Sequence, residues 1–173
     1  HTHGKVNYIF QGNGLGHTLN SSLEKKGKLC AWRINATLKK IGDRSTPNYF
    51  LKNTGKEEKN VSIQLDKKLF NNLTSSVYYS YFNTEIGVLR GAHIGNLSDL
   101  QLAIEQDQPF YTEDKFSYNI EAPKQMVQHH LGKIKLNYAL SHKTQLKGQY
   151  GTQLNFREEY DIRRGKRSTT PSL

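Results

Sequence analysis

Cys30-Ala31-Trp32-Arg33-Ile34-Asn35-Ala36-Thr37-Leu38-Lys39 is the stretch on which the reading of the fold turns. Cys30, Trp32, Ile34, Ala36 and Leu38 alternate with Ala31, Arg33, Asn35, Thr37 and Lys39, so one set is wholly apolar and the other almost wholly polar. Successive side chains on a strand point to opposite faces, and the run therefore predicts a strand in a sheet with one apolar and one wet side. It covers about ten residues, the length that crosses a bilayer on a tilt.

The same period recurs on both sides of it. Upstream, Lys5–Gln11 alternates Val6, Tyr8 and Phe10 against Asn7 and Gln11, with Ile9 breaking the pattern, and His17–Glu24 places Leu19 and Leu23 on one face. Downstream, Val61, Ile63 and Leu65 oppose Ser62, Gln64 and Asp66 within Asn60–Asp66. Leu73–Asn83 sets Leu73, Val77, Tyr79 and Tyr81 against Thr74, Ser76, Tyr78 and Ser80. In Val127–Leu140 the apolar set is Ile134, Leu136, Tyr138 and Leu140, and in the last strand it is Leu146, Tyr150, Leu154 and Phe156.

The connections carry further information. Gly12-Asn13-Gly14, Lys25–Lys28, Asn71-Asn72 and Ser141-His142-Lys143 read as turns, Ile41–Thr54 as a loop, and Thr84–Met126 as a connection far beyond the usual length. That connection is patterned: Leu97, Leu100 and Ile104 are spaced for a helix, and Ser98 with Gln101 resembles a capping box. A charged tail, Glu158–Arg167, follows the last strand. Short and long connections alternate, as in a membrane barrel whose turns stay tight at one rim while loops grow at the other. The expectation is an all-β, antiparallel up-and-down meander of about seven strands from a transmembrane β-barrel, with one short helix in a long loop. Bacterial barrels close with an even strand number from about eight upward, so the chain is expected to be one piece of a larger closed structure. A soluble, half-buried sheet with solvated lysines explains any single strand about as well.

Composition narrows the alternatives. The chain has 173 residues, of which 35% are hydrophobic, too few for a generous soluble core. Its single cysteine, Cys30, excludes an intrachain disulfide framework. No apolar run approaches the length of a transmembrane helix, and the N-terminus does not read as a signal peptide. The net charge of +10 invites a nucleic-acid reading, but Lys and Arg are spread along the chain. The densest group is Arg163, Arg164, Lys166 and Arg167, so no nucleic-acid partner is expected.

Motif by motif, catalysis finds little support. His129, His130 and His93 could bind a metal or haem, but adjacent strand residues diverge, and no metal site is expected. Glu57-Glu58 and Glu158-Glu159 meet the same objection as catalytic pairs. The glycines at 12, 14 and 16 lack the following helix of a dinucleotide site. Nothing pairs a nucleophile with a base, so an enzyme is not expected. Trp32, Tyr79, Tyr81, Tyr138 and Phe156 on apolar faces fit a lipid-facing aromatic girdle.

Two long strings point to a family. Tyr79-Ser80-Tyr81-Phe82-Asn83-Thr84-Glu85, followed by Gly87-Val88-Leu89-Arg90-Gly91-Ala92-His93-Ile94-Gly95-Asn96, resembles the barrel of TonB-dependent outer-membrane receptors, particularly those of Bacteroidetes. Gln128-His129-His130 and Arg157-Glu158-Glu159-Tyr160-Asp161-Ile162-Arg163-Arg164-Gly165 resemble it too. Lys166 departs from the pattern, where a second glycine is expected. The resemblance implies that residues 1–173 are a partial receptor barrel, without its plug domain or its remaining strands, and that Gly4–Phe10 is the first barrel strand. It implies the cell outer membrane as location, membrane lipid and the TonB complex as partners, and uptake of a scarce ligand such as a siderophore, haem or cobalamin. The chain itself would hold no cofactor. Ligand contact would fall to the extracellular loops: Arg90, His93, Asn96, Tyr111 and Tyr118, then Arg163, Arg164 and Arg167. Cationic and aromatic groups there would suit an anionic, catechol-bearing or porphyrin-carboxylate ligand. The rival expectation is a soluble, secreted all-β module that binds glycans or another ligand.

Overall fold

A computed structural model describes residues 1–89, 91, 97–108 and 110–161, together with the backbone of 167–172. Seven long strands follow one another in a meander: β1 (Thr2–Gln11), β2 (Gly16–Lys26), β3 (Cys30–Ile41), β6 (Lys56–Phe70), β7 (Leu73–Gly87), β9 (Lys124–Ala139) and β10 (Gln145–Tyr160). Each pairs antiparallel with the next, and β11 (Arg167–Ser172) adds to the free side of β10. The sheet is open, with β1 and β11 as its edges. The expected charged tail is therefore shorter than read, because β10 runs to Tyr160 and the chain re-enters the sheet at Arg167.

Register follows the hydrophobic period. Val6, Ser21, Ala36, Val61, Tyr81, His130 and Leu154 lie opposite one another in succession, and Lys25, Trp32, Leu65, Val77, Ile134 and Tyr150 form a second such row. Directly opposed residues share a face, so the apolar sets of all seven strands fuse into one surface. A slip of one residue in any strand would throw its whole apolar set to the other side.

The strands outrun their sequence signal. The fourth long strand was expected over Asn60–Asp66 and spans Lys56–Phe70; the fifth was expected to end at Asn83 and continues to Gly87. At these ends the alternation is carried by charge: Lys56 pairs with Glu58 and Lys59 with Glu57, two same-face contacts that hydropathy does not register. Leu69 is an extra residue between Lys68 and Phe70, a bulge that bends the strand into the Asn71-Asn72 turn.

The 42–55 connection also holds structure. β4 (Arg44–Ser45) and β5 (Phe50–Leu51) pair with each other, and β5 pairs with β8 (Thr112–Glu113) from the longest connection. The expected helix is present as α1 (Leu97–Glu105). Ser98 lies inside its first turn, so it does not stand at the N-cap position that the capping-box reading gave it.

Among the described residues, burial sits at the loop end of the strands. Ile41, 3% exposed, is the one buried large hydrophobic side chain, and Asp43, Asn53 and Thr84 are the buried polar ones. The sheet has no core of its own.

Candidate functional site

The loops after β3 and β7 and the turn after β1 meet in a packed rim. Asn53 organises it. Its backbone is in the left-handed region (φ 63°), which asparagine tolerates better than most residues. Its Nδ2 donates to the carbonyls of Val88 (2.9 Å) and Pro123 (2.8 Å), and its Oδ1 accepts from the Glu121 amide (2.8 Å). One side chain thus ties the short loop to both ends of the long one. The fit needs glycine at 87, where an added Cβ would stand 2.4 Å from the Asn53 carbonyl oxygen.

Around Asn53 the loops are stitched in the same manner. The Asp43 amide donates to the Ser117 carbonyl (2.9 Å), and the Asp43 carboxylate accepts from the Thr54 amide (3.2 Å). Burial pushes the Asp43 carboxyl above the ordinary aspartate range, partly opposed by backbone amides of Thr54 and Asn53. Gly42 lies under Phe116, whose Cζ would be 2.3 Å from a Cβ at that position. Phe116 stacks edge-on against Phe50 and Tyr118, and Lys52 pairs with Glu113. The first turn is locked in through Asn13, which exchanges two hydrogen bonds with the backbone of Ser45.

The expected ligand-contact residues divide. Tyr118 belongs to the rim: its hydroxyl donates to the Leu15 carbonyl (2.6 Å), and Lys40 lies over its ring. Tyr111 is exposed, at φ 63°, next to β8. Arg90, His93, Asn96, Arg163 and Arg164 lie outside the described residues, and Arg167 is placed only by its backbone, opposite Tyr160. Asn53, Asp43, Gly42 and Gly87, which hold the rim together, were legible in sequence only as turn formers or not at all.

The expected girdle residues all stand on the apolar face. Tyr79 and Tyr81 flank His130, with a hydrogen bond of 2.9 Å between the Tyr79 hydroxyl and His130 Nδ1, and Phe156 meets the same imidazole edge-on. A matching group, not foreseen, joins Tyr8 and His17 at 2.6 Å beside Phe10. Trp32 and Tyr138 lie nearer the tight turns. His129 and His130 point to opposite faces as strand neighbours must; His129 Nε2 and Asn60 Oδ1 on the polar face are enclosed without a hydrogen-bond partner. Among the described residues no group of His, Cys, Asp or Glu is placed to hold a metal ion, and no helix is long and apolar enough to cross a membrane.

Compared with protein-family models, with curated proteins and with solved structures, the chain gives no match.

Proposed function

We propose that this chain is part of a transmembrane β-barrel of the TonB-dependent receptor type, residing in an outer membrane and taking up a scarce ligand such as an iron chelate at its loop rim. The observation that carries the reading is the polarity of the middle strands, β3, β6 and β7, where several residues of the apolar face are more exposed than their neighbours on the polar face. Ile34, Ile63, Val77 and Tyr79 on the apolar face are exposed, whereas Asn35, Ser62, Gln64 and Ser80 on the polar face are half-buried. A soluble sheet would enclose the apolar set, worth about 1.5–3 kcal/mol for each large side chain. Lipid removes that penalty and asks for the opposite arrangement, apolar outward and polar toward a lumen.

Lys59 and Lys67 bracket Val61, Ile63 and Leu65 on the apolar side of β6, and the strand between them is about 27 Å long. Tilted by about 40°, it rises about 21 Å, a little short of the ~25 Å apolar band of outer-membrane barrels. The receptor family, its TonB partner and the chelate ligand rest on the residue strings 79–96, 128–130 and 157–165 and are proposals at that level. In this reading Asn53 and its partners hold the ligand-contact loops at a set position above the lumen.

The test is folding with and without detergent, followed by circular dichroism and sizing. The expected result is aggregation in plain buffer and a strand spectrum in micelles. A well-folded monomer in buffer alone would overturn the membrane reading and leave the rim as the binding surface of a soluble module.

A further inference from the structure

The acids on the polar face of the long strands are all engaged. Glu24 pairs with Arg33, Glu58 with Lys56 and Glu159 with Arg157, and the Asp66 carboxylate accepts from Gln64 Nε2 (2.9 Å). Lysines remain over. Among the described residues, no ion pair takes up Lys133 or Lys135 of β9 or Lys147 of β10. The register nevertheless crowds them. Lys133 and Lys135 are two residues apart on one face, with Cα atoms about 7 Å apart, and Lys147, opposite Asn137, stands on the diagonal to Lys135. Like charges this close repel unless something negative lies between them.

The neighbouring strand supplies hydroxyls where acids would relieve that repulsion. Tyr78 lies opposite Lys133, and Ser76 lies opposite Lys135. Among the described residues neither hydroxyl is taken by another group. These four side chains and Gln64 line a hollow of about 260 Å³ on the polar face. Opposite Lys133 on β10 is Gly151, which contributes no side chain of its own. The nearest acid on this face is Asp66, in the row Asp66–Ser76–Lys135. It stands roughly 10 Å from Lys135 across the sheet and does not line the hollow.

Cations and hydroxyls without an acid favour an anion, and a hollow of one sign concentrates it. The donor set also sorts among anions. A planar carboxylate is matched by the arginine fork, and no arginine lines this hollow. Lysine meets a phosphate as a point charge, and the Ser76 and Tyr78 hydroxyls can donate to the remaining oxygens. We propose that Lys133 and Lys135, with Ser76 and Tyr78, bind a phosphate-type oxyanion, either free phosphate or the phosphoryl group of a larger solute. This face is the wet one whether the opposite face meets lipid or water, so the site goes beyond the membrane reading and does not depend on it.

The test uses the full chain in uncharged detergent micelles, or in buffer if it folds there. Phosphate, pyrophosphate and succinate are titrated at constant ionic strength, with binding read by calorimetry and by amide NMR shifts. Saturable binding of phosphate and pyrophosphate is expected, with shifts centred on Lys133 and Lys135. Tighter pyrophosphate points to a phosphorylated solute and equal affinity to free phosphate; either supports the site. K133Q/K135Q is expected to weaken binding at least about tenfold, the loss of one charge-assisted hydrogen bond or more. Y78F should weaken it by about threefold. K5Q/K39Q removes the same charge from the polar face of β1 and β3 and is expected to leave binding unchanged. No saturation by about 10 mM, succinate bound as tightly as phosphate, or equal loss in the two double variants would each overturn the proposal. Strand content in micelles and in buffer is recorded separately: it decides the membrane reading, whereas anion binding by the folded chain decides the site.

Discussion

At the loop rim, Asn53 is 1% exposed and its side-chain amide is spent on three backbone groups; in the sheet below it, Ile63 is 44% exposed and touches mainly its cross-strand neighbours. The rim is held as a soluble protein is held, by close packing and satisfied buried polar groups. The sheet is held by its ladder and by register, and among the described residues its apolar side chains meet mainly their cross-strand neighbours. Under the proposed membrane reading, the two regions place their demands on different solvents. Mutations that are severe in one should be mild in the other, and the order of their effects tests the contrast.

The largest effect is expected from Asn53→Ala. It would orphan the Val88 carbonyl and the Glu121 amide, each costing about 1–3 kcal/mol when buried, and leave the Pro123 carbonyl with the Val88 amide as its donor, so the rim should lose about 2–6 kcal/mol. Hydrogen exchange in micelles should show faster exchange at Glu121 and Thr54 while amides of β6 and β7 stay protected. Uniform loss across rim and sheet would mean that the two regions are not separate units. Next comes Ile63→Arg, which in a bilayer should cost about 2–4 kcal/mol, against less than about 1 for Ser80→Arg on the polar face. Denaturant unfolding from lipid vesicles checks it, and small, equal effects of both would return the sheet to water. Gly42→Ala is smaller, about 1–3 kcal/mol, through the displacement of Phe116 and of the Ser117 carbonyl that a Cβ would force. Its readout is the same exchange at the rim.

What could be read from the sequence follows the same division. The sheet was legible because one residue in two reports its side: Trp32, Ile34, Ala36 and Leu38 needed no distant partner to be understood. Legibility faded where charge replaced hydropathy, at Lys56–Lys59, and in Lys124–Leu131, where Met126 and Val127 are adjacent and the period is lost. The rim was opaque. The partners of Asn53 are at 88, 121 and 123, and β5 finds its third strand at Thr112–Glu113, contacts that no local window contains. The glycines at 42, 55 and 87 were the available signal, since glycine in a loop can mark close approach, but nothing local said what approaches.

The smallest effect, Asp43→Asn, probes how a buried acid is tolerated in the rim. Asp43 is 2% exposed, and burial raises its carboxyl above the unfolded value despite the amide of Thr54. The folded chain therefore holds its proton to higher pH than the unfolded chain does. Between the ordinary aspartate range and the raised value, the folded state binds more protons, so stability falls as pH rises through that window. Asparagine keeps an acceptor for Thr54 and carries no charge to desolvate. The substitution should leave stability at low pH nearly unchanged, remove the fall, and raise stability at neutral pH. The measurement is rim exchange or unfolding in micelles as a function of pH for both chains. A steeper fall in the variant would mean that ionised Asp43 stabilises the rim, through Lys52 or the amides, by more than its burial costs.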